Sequence, residues 1–294
     1  MTLSIIIATH SRPASLARLV RSLSGQLRAG RDELAVAENG TPHPAQLPPD
    51  LPRLTHFHDA RPGKCRIQNR AIAGTRGEIV ALLDDDLTAG ARYLDAVEKF
   101  FEEHPEFAAM AGRILPAEDP VAKVGENAVY LDLPIFDKGE ACQEVRGVLG
   151  ANMAFRRSVL EAAGPFDERL GPGAGGHEEE TEMSQRLRRM GFRIGYAPNA
   201  VVYHEVDPAR ANRDRFIRIS RERGRCRMLH ENHSAFDIAV KNLVAGARLA
   251  IARGLGAGLP RIAREERRLA IARGMRDGLR GTILKDSRPG QATR

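Results

Sequence analysis

An α/β fold, built on a mainly parallel sheet flanked by helices and followed by a helical C-terminal extension, is predicted by three observations. Short unbroken apolar runs, Leu3–Ala8 and Ile79–Leu83 above all, alternate with segments of helical periodicity. Strands that read as continuous apolar runs are those buried on both faces, as in a parallel sheet covered by helices. The Ile79–Leu83 run ends abruptly in Asp84, Asp85 and Asp86, a negative rim where ligands of open α/β sheets bind. From Pro208 onward the pattern is helical throughout. The expected division is therefore 1–207 for the α/β domain and 208–294 for a basic α-helical extension.

The chain has 294 residues, 42% of them apolar and 28% charged, with no Trp, as expected of a globular chain with a sizeable core. Cys65, Cys142 and Cys226 are odd in number and widely separated, without zinc or redox spacing, which fits a reducing cytoplasm. Met1 leads directly into a strand with no basic segment and long apolar run before it, so no secretory signal is expected. The net charge of +7 is uneven: from Arg210 on there are 21 Lys and Arg against 8 Asp and Glu. Such a tail is either a solvated basic face or a surface that rests on an anionic membrane or holds a polyanionic acceptor. No nucleic-acid partner is expected.

In chain order, the Leu3–Ala8 strand meets the loop Thr9-His10-Ser11-Arg12-Pro13. A helix follows in which Leu16, Leu19, Val20 and Leu23 share a face. Backbone N–H groups and Arg12 at such a helix entry suit a phosphate or nucleotide. Neither a G-x-G-x-x-G nor a P-loop sequence is present here, which argues against dinucleotide or P-loop chemistry. A second strand, Leu34–Ala37, ends in Glu38-Asn39-Gly40, where Glu38 either accepts hydrogen bonds from a base or ribose or is an exposed turn residue. The Pro-rich stretch Pro42–Pro52 reads as a loop and Leu54–His58 as a third strand. Arg61-Pro62-Gly63-Lys64 opens a helix, Cys65–Thr75, carrying Arg66, Asn69 and Arg70, which hold a nucleotide diphosphate or are ordinary surface charges.

The acidic rim is either a site for a hard divalent cation or a solvated loop whose Thr88 caps a helix starting near Ala89. Leu94, Val97 and Phe101 mark that helix, Ala108–Ile114 the next strand, and Pro116–Gly147 an irregular connection of the kind that contacts an acceptor. After the strand Val148–Phe155 and the helix Arg156–Ala163, a glycine-rich loop, Gly171–Gly176, delivers His177, Glu178, Glu179 and Glu180 to a helix whose Met183, Leu187 and Met190 face inward. Acids there favour the helix dipole, and one presented this way also suits a general base. Strands at Ile194–Ala197 and Val201–His204 close the sheet, and His204 is either structural or a metal ligand beside the acids. In the extension, Phe236, Val240, Leu243, Ala247 and Ile251 form one stripe, and Ile262, Leu269, Ala272, Met275 and Leu279 a second. Interrupted by Arg248, the first is too short to span a bilayer, so these helices pack on the preceding domain or lie on a membrane surface.

Taken together these segments resemble the family 2 glycosyltransferases, inverting enzymes of the GT-A fold, over about residues 1–205. SIIIATHSRP resembles the opening strand and loop, AVAENG the acid-ended second strand, and GKCRIQNRAIAGTRGEIVALLDDD the helix leading into the D-x-D strand. GANMAFRRSVLEAAGPFDERLG and EEETEMSQRLRRMGFRIGYAPNAVVYH resemble the acceptor-side block and its His-ended strand. The resemblance implies a GT-A fold and a nucleotide-sugar donor held by Thr9, Arg12 and Glu38, with Asp84 on the ribose and Asp85, Arg66 and Asn69 alongside. It implies Mg²⁺ or Mn²⁺ on Asp86 with His204 as a second ligand, and Glu180 as catalytic base with Glu179 beside it. The family usually has Asp where this chain has Glu38 and Glu180, and the run Glu178–Glu180 leaves the base's register open by one.

The reaction so implied is a one-step displacement by an acceptor hydroxyl, with a glycan or lipid-linked acceptor, in glycan or polysaccharide biosynthesis. The tail's charge leaves two readings open, a solvated basic face or peripheral contact with the inner face of a membrane. A sugar-phosphate nucleotidyltransferase would carry a Gly-rich loop after its first strand, and THSRPAS has no Gly. A non-catalytic glycan-binding module would lack the D-x-D or the base, and both are present.

Overall fold

Buried on both faces, the apolar runs form the centre of the sheet, and their residues divide alternately between two cores. The computed structural model describes residues 1–42, 47–48, 51 and 54–281, so most of the loop expected at Pro42–Pro52, and the tail beyond Gly281, lie outside the described residues. The elements are β1 (Leu3–Thr9), α1 (Pro13–Ser24), β2 (Glu33–Asn39), β3 (Leu54–Asp59), α2 (Lys64–Gly74), β4 (Ile79–Asp84), β5 (Leu87–Ala89), α3 (Tyr93–Glu103) and β6 (Phe107–Pro116). They continue with α4 (Pro120–Val124), β7 (Gln143–Val145), β8 (Asn152–Arg156), α5 (Arg157–Ala163), α6 (Glu179–Arg189), β9 (Arg193–His204), α7 (Arg213–Arg227), α8 (Ala235–Gly254) and α9 (Leu259–Leu279).

The strand order is β3-β2-β1-β4-β8-β6-β9-β5, with β7 beside β9. Strands β3, β2, β1 and β4 run parallel, β8 is antiparallel to both neighbours, and β6 and β9 are parallel again. Ile5 and Ile7 of β1 pack with Leu16, Leu19 and Leu23 of α1 and with Leu94 and Phe101 of α3. Ile6 faces the other way, into a core shared with Val80, Leu82, Ile67 of α2, Leu160 of α5 and Met183 and Leu187 of α6. This is the mixed, mainly parallel sheet flanked by helices that the apolar runs predict.

Two compact units emerge. One comprises Met1–Glu118, Leu133–Glu168 and Glu179–Val206 and holds the sheet; the other comprises Asp119–Asp132, Arg169–Glu178 and the chain from Asp207 on. In the second unit α7 and α9 meet at glycines: a Cβ on Gly224 would lie 2.0 Å from the Ile271 carbonyl oxygen, and one on Gly274 1.9 Å from that of Arg221. Ser234 and Asp237 form a capping box that starts α8. Glu266 of α9 accepts from Arg213 and Arg253, at 2.6 and 2.7 Å.

Several local expectations are corrected. The helix after the acidic rim starts at Tyr93, and Thr88 belongs to β5, which pairs with β9, instead of capping a helix. Ile194–Ala197 and Val201–His204 are one strand: Ala197 and Val201 pair with the consecutive residues Gly112 and Arg113, so the chain bulges at Pro198, which has no N–H to give the ladder. Met190 lies beyond the end of α6 and is exposed. Val148 precedes its strand, which begins at Asn152. The side of α8 that is buried carries Ile238, Ala245, Leu249 and Ala252, not the stripe Phe236, Val240, Leu243 and Ile251, all of which are exposed.

Gly274→Ala should separate α7 from α9 and cost about 1–3 kcal/mol, measured by urea unfolding; a variant as stable as wild type would refute this close helix contact.

Candidate active site

Pairing of β1 with β4 sets Ala8 opposite Asp84, which brings the loop after β1 to the acidic rim. There the Thr9 hydroxyl donates to Asp85 Oδ2 at 2.7 Å, and Arg12 Nη1 donates to Asp85 Oδ1 and Asp86 Oδ2, both at 3.0 Å. Ser11 takes φ 54°, one of two non-glycine residues with positive φ among those described, and this tight turn places Arg12. Burial raises the Asp85 pKa, and Arg12 opposes that rise. Asp85 is thus the anchor of the loop.

The short β5–β9 ladder pairs Leu87 with His204, and the Glu205 amide donates to the Asp86 carbonyl at 3.0 Å. His204 Nδ1 lies 2.8 Å from the Glu205 carbonyl oxygen. A carbonyl only accepts, so Nδ1 carries a proton, and Nε2 faces Asp86 Oδ1 at 3.3 Å. Burial works to lower the His204 pKa, but the hydrogen bond and charge of Asp86 outweigh it and the pKa rises. An oxygen and an imidazole nitrogen, both buried and facing each other with the outer nitrogen fixed by a carbonyl, are a donor pair that fits a divalent ion. No group of three such side chains exists among the described residues, so an ion here would draw further ligands from a substrate or water, as Mg²⁺ commonly does.

On the other side of Asp84 stands Lys64, the first residue of α2. Its Nζ donates to Asp84 Oδ1 at 2.5 Å and lies 3.4 Å from Glu179 Oε1. Burial works against the ammonium, but Asp84, Glu179 and Glu180 hold its pKa above the ordinary value. Glu179 and Glu180 begin α6, where the helix dipole favours acids. Burial, and then the charge of Glu179, push the Glu180 pKa well above the usual carboxyl range. A Cβ at Gly150 would touch Glu179, Lys64 and Glu180, at 3.5, 3.5 and 3.9 Å, so glycine keeps this corner clear.

Glu38, opposite Thr9 in the β1–β2 ladder, is buried and bonds His56 Nε2 at 2.9 Å. The sheet therefore gathers Thr9, Arg12, Glu38, Asp84, Asp85, Asp86 and His204 along one edge, with Glu179 and Glu180 reaching Asp84 through Lys64. Two residues expected beside them have other contacts: Asn69 donates to the Phe166 carbonyl and accepts its amide, each at 2.9 Å, and Arg66 faces Glu168 at 3.3 Å. Glu178 belongs to the second unit, where it pairs with Arg227 at 3.4 Å. Lys64 is the residue that sequence reading passed over. It stood among four nearby cations, and only its place at the first turn of α2, after Gly63 at φ 133°, marks it out.

Comparison with known proteins gives a consistent picture. The family model described as "Glycosyl transferase family 2" matches residues 4–164. The glucosyl-dolichyl phosphate glucuronosyltransferase of Haloferax volcanii is 25% identical over 224 residues, 70% of each chain. The pre-mycofactocin glycosyltransferase of Mycobacterium tuberculosis is 28% identical over 276 residues, 88% of this chain, which spans only 54% of that relative's length. Among solved structures, the mannosyltransferase PcManGT from Pyrobaculum calidifontis, in complex with GDP-Man and Mn²⁺, matches with a TM-score of 0.64 at 18% identity, over 94% of this chain and 86% of its own. S. aureus TarS 1-349 in complex with UDP-GlcNAc matches with a TM-score of 0.54 at 14% identity, over 96% and 92%. At these identities the two structures establish the fold.

The raised pKa of Glu180 has a definite sign for stability. The native chain holds that proton more tightly than the unfolded chain, whose carboxyl titrates near 4.3, so stability falls as pH rises from there through the folded pKa. Glu180→Gln should therefore melt roughly 2–4 °C above wild type at about pH 8, with the gap closing near pH 4, by scanning calorimetry. A gap that grows toward acid pH would contradict the buried-acid assignment.

Proposed function

The chain belongs to glycosyl transferase family 2, and from that premise we propose that it moves a sugar from a nucleoside-diphosphate sugar to an acceptor hydroxyl, inverting the anomeric centre. The observation that carries this reading is the division of the acids into two settings. Asp86 lies against His204 and Arg12, while Glu180 lies beside Glu179, where burial and the neighbouring carboxylate raise its proton affinity.

In this reading Glu38 and Thr9 line the nucleoside end, Asp84 accepts hydrogen bonds from the ribose, and Asp85 fixes Arg12. Asp86 and His204 would hold Mg²⁺ or Mn²⁺, the latter supported by the Mn²⁺ in the Pyrobaculum structure. When bound, such an ion stabilises the charge that develops on the departing diphosphate. Lys64 lies against Glu179, and burial, then the charge of Glu179, raise the Glu180 pKa above the usual carboxyl range, which strengthens it as a general base. As the acceptor oxygen bonds to the anomeric carbon, the bond from that carbon to the phosphate oxygen breaks, and the hydroxyl proton passes to the Glu180 carboxylate. No enzyme nucleophile is required.

The transferred group is of the hexose class and the acceptor is lipid-linked, a reading supported by the name of the Haloferax relative. The protein then works at the inner face of a membrane, held there peripherally through its basic C-terminal region. No helix among the described residues is long and apolar enough to cross a membrane.

Release of nucleoside diphosphate from a panel of nucleotide sugars, with sugar-phosphate lipids as acceptors, tests the assignment. Glu180→Gln should lower kcat by about 10²–10⁴ while donor affinity is kept, and the product anomer should be opposite to that of the donor. Near-wild-type turnover in that variant, or a product of retained configuration, would overturn it.

A further inference from the structure

Helix α8 is apolar on two opposite sides, and among the described residues only one of them is covered. Ile238, Ala245, Leu249 and Ala252 are buried, and the Asn242 amide on the border of that face donates to the Ala272 carbonyl of α9 at 2.8 Å. The opposite side exposes Phe236, Val240, Leu243, Val244 and Ile251, continued by Leu255 just past the helix; Phe236, Leu243 and Leu255 are 75%, 74% and 72% exposed. At about 100° per residue these fall in one sector roughly 120° wide, with alanine and glycine filling the gaps, along a helix about 30 Å long. Asp237, at the edge of the sector, is occupied in the capping box. Isolated exposed apolar side chains are ordinary, but a continuous stripe of this length marks a contact surface.

We propose that this outward stripe of α8 lies in the surface of an anionic lipid bilayer, as the element by which the C-terminal unit docks. The inference deepens the peripheral-membrane part of the preceding reading and rests on it. Charge argues for this occupant. Lys241 and Arg248 border the sector on one side, and the chain from Arg210 on is strongly basic, with 21 cationic residues against 8 acidic ones. Long cationic side chains beside an apolar stripe reach lipid phosphates while their stems stay on the apolar side. A second copy of the chain, packed stripe to stripe about a two-fold axis, would bring two rows of Lys241 and Arg248 together.

The test is co-sedimentation of the full chain with vesicles of phosphatidylcholine alone and of phosphatidylcholine mixed with phosphatidylglycerol. Wild type should bind the mixed vesicles at least about tenfold better, and about 0.5 M NaCl should weaken that binding. Leu243→Gln with Ile251→Gln should lose binding about tenfold or more while keeping the wild-type thermal melt and transfer to a water-soluble acceptor. Wild type that binds neither vesicle, or a double variant that binds like wild type, would overturn the proposal. So would a dimer in light scattering that the double variant splits, in a protein that ignores vesicles. Transfer in solution needs no vesicle: activity without vesicle binding sinks this inference alone, whereas vesicle binding without use of any nucleotide sugar sinks the glycosyl-transfer reading instead.

Discussion

Five carboxyl groups, those of Asp85, Asp86 and Glu179, which are buried, and of Asp84 and Glu180, which are half-buried, are gathered at one edge of the sheet, and the surrounding structure answers the cost of bringing them together. Like charges in a low-dielectric setting repel, and each must be neutralised, paired or hydrogen-bonded to persist there. The chain does all three. Arg12 and the Thr9 hydroxyl hold Asp85; Lys64 spans Asp84 and Glu179; His204 and Arg12 face Asp86; and Glu180 is driven toward its protonated form. The two fixed cations and one imidazole do not offset five acids. That residual negative charge is why a divalent cation fits the Asp86–His204 corner of this edge.

Each neutralising group reaches the edge by a different structural route. Burial of β4 on both faces fixes where the acids stand. The strained turn at Ser11 delivers Arg12, the first turn of α2 delivers Lys64, and the β5–β9 ladder delivers His204. Removing one cation would leave a buried charge without compensation, a change more costly than the loss of an exposed pair. The acids thus constrain three separate elements at once, and the same constraint separates their chemistry: a carboxylate against an imidazole suits a metal, and one beside another carboxylate suits a proton.

Much of this was legible in the sequence, because the signals are local. The unbroken runs in β1 and β4 announce a sheet covered on both sides, the three aspartates announce its rim, and His204 closes a recognisable strand. What stayed hidden depends on contacts distant in sequence. Lys64 looks no different from Arg61, Arg66 or Arg70 until Glu179, over a hundred residues later, is set beside it. Asn69 reads as an available amide, yet it is spent on Phe166. In α8 periodicity finds an apolar stripe but cannot say which of two apolar sides packs inward. The segments 119–132 and 169–178 join the C-terminal helices in the second unit, an association with no local mark in the sequence.

The proposed reaction depends on the acidic edge being a site for a nucleoside diphosphate with a divalent ion. Calorimetric titration of UDP, GDP, dTDP and CDP, each with and without Mn²⁺, into wild type and Asp86→Ala examines that claim directly. One nucleotide should bind wild type tightly only when Mn²⁺ is present, and the variant should lose the metal-dependent part of that affinity. Affinity unaffected by Mn²⁺ and by the substitution, or no binding of any of the four, would contradict it.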